Sequence, residues 1–271
     1  MTSKPGPDPH VSGRTAPDVW EARRSIQDTD GQGRADRDVE LPPGQHVVGG
    51  FPRFGPHPHQ PPPPIPSHPA LTISGAVGAD WSIPLTDLND LPQVERIEEF
   101  HCVSGWSAVG LQWGGVVFAT FYCAVIEPRL VRPVTHLSFR GYDGYVSTVR
   151  LGDALADDVL IATRLDGKPL TPKHGAPVRL VSPRQYGYVS TKHLAGVEVH
   201  ASRPRREHPY DVLTREHPRA RVWQEERHPW FPGPMMRRIY RPLIRPTARL
   251  SARSLTRQDA SAREVDGSEQ P

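Results

Sequence analysis

The sequence predicts a mixed α+β fold that is mainly β, and three observations carry that expectation. Short apolar runs of alternating character recur between residues 71 and 199, each closed by Gly, Asp, Asn or Pro turn signals, while long helical periods are scarce. Nearly half of the 32 prolines in the 271-residue chain fall before residue 70, so the folded part is central, with extensions at both ends. That central segment, roughly 130 residues, is long enough to bury a hydrophobic core.

Residues 1–41 are polar and charged with no period, the composition of disorder. Residues 42–70 hold GGFPRFGPHPHQPPPPIPSHP, whose proline run favours an extended path partly wrapping the domain, with Phe51 and Phe54 pinned against it. The domain itself spans 71–202. Leu71, Ile73 and Val77 alternate as a strand interrupted by glycine, and TDLNDLP at 86–92 is a short capped helical turn stopped by proline. Residues 94–103 alternate toward a second strand that delivers Cys102 at its end, into a loop with Gly105. Residues 116–126 are a buried helix or strand, and periodicity does not choose between them. A strand at 133–139, a turn at GYDGY (141–145) and a strand at VSTVRL (146–151) follow. Residues 159–163 are a short apolar strand leading to the hairpin signal Asp166-Gly167. Residues 178–181 and 195–200 complete the set of strands. From 203 to 250 basic, aromatic and proline residues interleave, predicting an extended arm anchored by Trp223, Trp230, Phe231 and Tyr240; 251–271 read as a disordered tail.

Composition narrows the function. The formal net charge is only +3 at a sequence pI near 9.0, a balance that predicts no nucleic-acid partner. Two cysteines, Cys102 and Cys123, cannot make a disulfide framework, and MTSKPGPDPH shows no export signal, so the chain is expected in the cytoplasm. Residues 103–126 carry no charge and match the ~20 apolar residues a membrane span needs. Ser104, Ser107, Gln112 and four glycines favour a buried segment instead, built in its first half from turns and short strands, so no transmembrane segment is expected. MMRRIYRPLIR at 235–245 mixes basic and apolar residues as membrane-surface or partner-binding segments do, although its proline breaks the helix that role prefers.

Cys102, in HCVSGWS, admits three readings. It is a small buried hydrophobe, a nucleophile served by His101, His136 or His174, or a soft metal ligand. Zinc is disfavoured because no second Cys or His falls at ligand spacing, so most other ligands would come from outside the protein. A second constellation lies in HGAPVRLVSPRQYGYVSTKHL (174–194). Ser190, Thr191 and Lys192 offer hydroxyls, backbone N–H groups and an ammonium, a set that holds phosphate. Arg179 offers a planar donor fork and His174 a ring edge, a set that reads a heterocycle.

EFHCVSGWS, the Trp-Gly-Gly at 113–115, GYDGYVSTVRL and ATRLDGKPLTPKHGAPVRLVSPRQYGYVSTKHLAGVEV together resemble the molybdopterin-binding oxidoreductase domain of the sulfite-oxidase fold, over residues 52–200. The resemblance implies molybdenum–molybdopterin as cofactor, with Cys102 as the one protein thiolate on the metal and the pterin dithiolene supplying two further sulfurs. It implies that His174 and Arg179 contact the pterin, that Ser190, Thr191 and Lys192 grip its phosphate, and that Arg53 and Phe54 cross over it. Tyr145 would stand on the substrate side of the metal as a catalytic residue. Two departures bear on function. Sulfite oxidases continue from the cysteine with an Ala-Gly-Asn-Arg-Arg type sequence, whereas Val-Ser-Gly-Trp-Ser follows here, so a small substrate other than sulfite is implied. Val189 stands where the family often has a lysine. With no haem motif or cysteine cluster, electrons would pass to a separate carrier. The alternative of a different class is a non-catalytic interaction protein that kept the fold and works through its proline-rich head and basic arm.

Overall fold

The computed structural model describes residues 39–53, 61–204, 216–244 and 246. The segments 1–38 and 251–271, and Phe54, lie outside the described residues. Eleven strands among the described residues form two sheets. The first contains β1 (His46–Val47), β4 (Gln93–His101), β5 (Trp106–Val117), β8 (Leu160–Leu165), β9 (Lys168–Pro169) and β10 (Arg179–Val181); β5 pairs with β1, β4 and β8, and β8 with β9 and β10. The second runs β3 (Trp81–Pro84), β2 (Ala70–Gly75), β11 (Leu194–His200), β6 (His136–Gly141), β7 (Val146–Arg150). Only β1–β5 and β2–β11 are parallel.

The period of two in each strand distributes the core. Leu160 and Ala162 join a cluster with Phe100, Cys102, Trp106 and Trp113, while Ile161 between them joins Val116 and Leu180 in the larger cluster. Adjacent strand residues point to opposite faces, so the first sheet is buried on both sides. Leu71, Ile73, Leu137, Phe139, Val197 and Val199 of the second sheet fill the larger cluster. Each such side chain contributes about 2 kcal/mol by leaving water. The smaller cluster, on the far face of the first sheet, holds Cys102.

The expected strands at 71, 94, 133, 146, 159, 178 and 195 all form, with ends shifted by a few residues. Asp166 (φ 52°) and Gly167 (φ 73°) make the two-residue turn between β8 and β9, both in the left-handed region that such hairpins demand. Four expectations are corrected. Residues 106–117 are one twelve-residue strand, not turns and short strands; helical turns begin only at Phe118–Phe121 and continue as Tyr122–Ile126. No helix among the described residues is long and apolar enough to cross a membrane. The turn Leu85–Asp90 has no side-chain cap, because the residue before it is Pro84, which carries no side-chain acceptor; Thr86 lies inside the turn and donates to the Asp87 carboxylate 3.1 Å away. In the arm, Trp223 and Trp230 are 47% and 57% exposed, Trp230 packing edge-on to His228; the buried side chains there include Ala220, Val222, Arg227, His228 and Met236. Gly233–Tyr240 is a helix, tolerating Pro234 in its first turn, where the missing N–H has no intrahelical acceptor to lose.

Candidate functional site

β4 ends at His101, and the chain reverses over residues 102–105 before β5. Cys102 N donates to Trp106 O (2.8 Å) and Gly105 N to Cys102 O (3.0 Å). Gly105 sits at φ 108°, and a Cβ there would stand 3.0 Å from Gly44 O, so both the turn and the strand crossing over it require glycine. The turn presents a buried thiol whose Sγ lies 3.1 Å from Ser104 Oγ. Burial pushes the Cys102 thiol up, and the Ser104 hydrogen bonds and the positive charges of Arg227 and Lys192 work against that rise.

His101 faces away from the thiol. Its Nδ1 lies 2.8 Å from Ser107 Oγ; Ser107 donates to Gln45 Oε1 (3.1 Å), so the imidazole Nδ1–H donates to Ser107. Gln45 Nε2 closes the chain by donating to Cys102 O (3.1 Å). Burial lowers the His101 pKa to about 4, which keeps the ring neutral. The other two histidines considered as bases are engaged elsewhere, His136 with Thr135 (2.9 Å) and His174 with the Phe51 carbonyl (3.1 Å). The arrangement does not provide the base that a nucleophilic cysteine needs.

Arg179 is fully buried. Its guanidinium donates to His174 O (3.0 Å), Ser190 O (3.1 Å) and Leu180 O (3.3 Å), with Trp113, Phe100 and Phe51 rings 5.2, 5.5 and 5.7 Å away. Burial lowers its pKa only to about 9, so it stays charged and ties the His174 turn to the Ser190 loop. Ser190 Oγ accepts from Ser182 N (3.1 Å), which leaves its O–H to donate. Thr191 Oγ1 pairs with Ser147 Oγ at 2.8 Å. The Val189 side chain packs in the larger core cluster.

Lys192 gathers the charges of the site. Burial lowers its pKa to about 7, helped by Arg179 and Arg53 and opposed by Asp143 and Cys102. Two guanidinium groups and the Lys192 ammonium, with one carboxylate near them, set up a net positive field that favours an anion. Lys192 is within electrostatic reach of both Cys102 and Arg53. The Tyr145 hydroxyl lies 2.7 Å from both Tyr188 O and Glu216 Oε1, which share its one proton, so it joins the loop before Ser190 to the C-terminal segment.

Three contributors escaped sequence reasoning: Gln45, Tyr186 and Arg227. The fully buried Tyr186 hydroxyl and Trp113 Nε1 have no hydrogen-bond partner among the described residues. Tyr186 lies within electrostatic reach of Cys102, and Trp113 lies beside Arg179 and Phe51. Orphaned donors of this kind fit a polar ligand. Among the described residues no group of three His, Cys, Asp or Glu side chains could cage a metal ion. A groove of about 420 Å³ on the outer face of the second sheet, lined by Thr72, Ser74, Ser138, Arg140 and Glu198, shares no residue with this site.

A two-sheet α+β scaffold that buries one thiol within reach of Lys192 and Arg227, with no base placed to activate it, has the character of a cofactor-binding domain. The chain belongs to the oxidoreductase molybdopterin binding domain family, whose sequence model matches residues 59–208, and its cofactor is molybdenum–molybdopterin. It is 29% identical over 204 residues to the uncharacterized oxidoreductase YuiH of Bacillus subtilis, covering 73% of this chain and 96% of that protein. It is also 29% identical over 166 residues to the putative protein-methionine-sulfoxide reductase subunit YedZ1 of Azospira oryzae (60% of this chain, 55% of that protein). With the protein-methionine-sulfoxide reductase catalytic subunit MsrP of Campylobacter jejuni the identity is 30% over 149 residues, half of each chain. The chain therefore spans about half the length of these methionine-sulfoxide reductase relatives. Among solved structures, the sulfane dehydrogenase SoxCD of Paracoccus pantotrophus superposes with a TM-score of 0.46 at 19% identity, over 57% of this chain and 44% of that one.

Proposed function

We propose that this molybdopterin oxidoreductase uses Cys102 as the protein thiolate on molybdenum and transfers an oxygen atom to or from a small substrate. The observation that supports it best is the lone buried thiol on a glycine-bearing turn, within electrostatic reach of Lys192 and Arg227. When bound, the cofactor supplies the two-electron change of redox state and the site at which oxygen is exchanged. The chain's own residues bind and orient it. Lys192 and the Ser190 O–H fit its phosphate, and Trp113, beside Arg179 and Phe51, fits its heterocycle. His101, Ser107 and Gln45 hold the Cys102 turn, and the surrounding aromatic rings exclude water.

Sulfoxides are the first substrates to try, on the names of two of the relatives: reduction consumes two electrons and two protons and releases a sulfide and water. Sulfite is disfavoured because residues 103–107 carry no arginine to form an anion pocket on the substrate side. Electrons would pass one at a time through a separate carrier, and both cysteines are free thiols, in keeping with a cytoplasmic site. The test is molybdenum per chain in protein made by a host that synthesises the cofactor, beside Cys102→Ser. About one molybdenum in the wild type, with loss of the metal or of its thiolate-to-metal absorption in the variant, is expected. An unchanged metal content and spectrum in Cys102→Ser would remove the ligand assignment.

A further inference from the structure

Arg227 lies 125 positions after Cys102 and outside the residues that match the family, 59–208. Its side chain is completely buried. One terminal nitrogen donates to Val103 O, in the turn that carries Cys102, and the other donates to Pro43 O at 3.2 Å, in the segment that crosses over that turn. The guanidinium also lies 4.9 Å from the Tyr186 ring centroid, and its Nε faces Glu225 Oε1 at 3.7 Å. Three stretches distant in sequence therefore meet on one planar cation: residues 42–48, the Cys102 turn and the C-terminal segment. The same N-terminal stretch is tied to the turn twice more, by His46 N donating to Gly105 O (3.1 Å) and by Gln45 to Cys102 O.

A buried guanidinium has no reason to be spent on two carbonyls at the foot of a surface arm, where burial of an incompletely paired charge is costly. At a thiolate it has one. The fork fixes the direction of the Val103 carbonyl, and with it the Val103–Ser104 peptide, whose Ser104 hydroxyl lies 3.1 Å from Cys102 Sγ. It also keeps a positive charge behind the sulfur, which partly offsets the cost of burying a thiolate. We infer that Arg227 is a positioning residue for Cys102, so that the C-terminal segment is a working part of the metal site and not an appended arm. This inference rests on the assignment of Cys102 as the metal ligand.

Planarity and charge can be separated experimentally, because lysine keeps the charge but cannot reach both carbonyls as a fork, and methionine keeps only the stem. The full-length protein, loaded with cofactor in the host, is compared with Arg227→Lys, Arg227→Met and Arg237→Met. Arg237 is a neighbouring arginine that also faces Glu225 (3.7 Å), with no hydrogen bond to the Cys102 turn among the described residues. Molybdenum content, the thiolate-to-metal absorption band and thermal midpoint are read for each. Arg227→Met is expected to retain its fold and to hold metal about tenfold more weakly, the usual effect of losing a group behind a ligand. Arg227→Lys is expected to recover most of the metal with a displaced absorption band, and Arg237→Met to match the wild type in both. Metal content and band unchanged in both Arg227 variants, with Cys102→Ser still losing the metal, would overturn the inference and leave the ligand assignment standing. Failure of both Arg227 variants to fold would overturn it too, placing the residue in the scaffold. A wild type without molybdenum would remove the ligand assignment and this inference with it.

Discussion

The imidazole of His174 lies flat on the ring of Phe51, with centroids 5.0 Å apart and planes 5° from parallel, and its Nε2 is 3.1 Å from the Phe51 carbonyl. The carbonyl can only accept, so Nε2 carries the proton and Nδ1 accepts from Thr171 Oγ1 at 3.3 Å. Burial lowers the His174 pKa, which suits this neutral ring. A residue predicted to read the pterin thus also holds the N-terminal segment over the smaller core. Phe51→Ala and His174→Ala should each destabilise the protein, and a double-mutant cycle by urea denaturation should give a coupling of about 1 kcal/mol, the value of a stacked pair. Strict additivity of the two changes would show that the stack carries no energy.

Gly187 is expected to tolerate no side chain. A Cβ there would run into the Phe100 ring, and the backbone cannot retreat because Gly187 N donates to His101 O at 2.8 Å. The ring cannot swing away either, with Phe51 4.9 Å and Trp106 5.7 Å from its centroid. Gly187→Ala should cost roughly 1–3 kcal/mol, the usual price of overpacking. Thermal unfolding gives the answer directly, and an unchanged midpoint would mean that the aromatic cluster has slack.

How far the sequence was legible follows from these contacts. Strands with at least one buried face announce themselves by alternation, so β2, β6, β8 and β11 were visible. The two-residue β1 and β9 are too short to have a period, and β3, four residues with no fully buried side chain, has no apolar face to show. β5 was hidden by its own glycines. At Gly115 a Cβ would strike the Ile161 carbonyl and at Gly114 the Arg164 side chain, so close strand approach required residues that read as turns. The motif around Cys102 and the cluster at 174–192 could be read because their members are near in sequence. Arg227 could not, since its partners are 124 and 184 residues away and the aromatic residues around it drew the prediction to Trp223 and Trp230, which are exposed.

Lys192 should make anion binding depend on pH. Its folded pKa of about 7 lies below the ordinary lysine value, so between the two the unfolded chain binds the extra proton and stability contributed by this group rises with pH. An anion has the opposite preference, because it binds the ammonium. The rise in thermal midpoint given by pyrophosphate on cofactor-free protein should be larger at pH 6 than at pH 8.5, with affinity falling by up to about tenfold per pH unit above 7. Lys192→Met should show a smaller rise that does not fall between pH 6 and pH 8.5, because pyrophosphate itself only gains negative charge over that range. Equal pyrophosphate effects in wild type and variant would take Lys192 out of the anion site.

His101 supplies the clearest acid sensitivity. Its ring is buried, donates to Ser107 and titrates at about 4 when folded, against an ordinary value of 6.5. Between those values the unfolded chain holds the extra proton, so stability is present in full above pH 6.5 and is lost as pH falls toward 4, with no further change below. The limit is one proton, a slope of about 1.4 kcal/mol per pH unit and about 3 kcal/mol across the window. His101→Asn places an amide N–H near the position of Nδ1–H and cannot titrate, so it should keep the link to Ser107, Gln45 and the Cys102 carbonyl. Other histidines with lowered pKa values, among them His174 and His193, contribute equally to both proteins and cancel in the difference. Urea denaturation at half-unit steps from pH 4 to 7.5 should therefore give two curves that converge toward acid, the variant losing less stability than the wild type. Parallel curves would mean that the imidazole is protonated without leaving its place. The hydrogen-bond chain beneath the Cys102 turn would then have to accept a charge that its burial argues against.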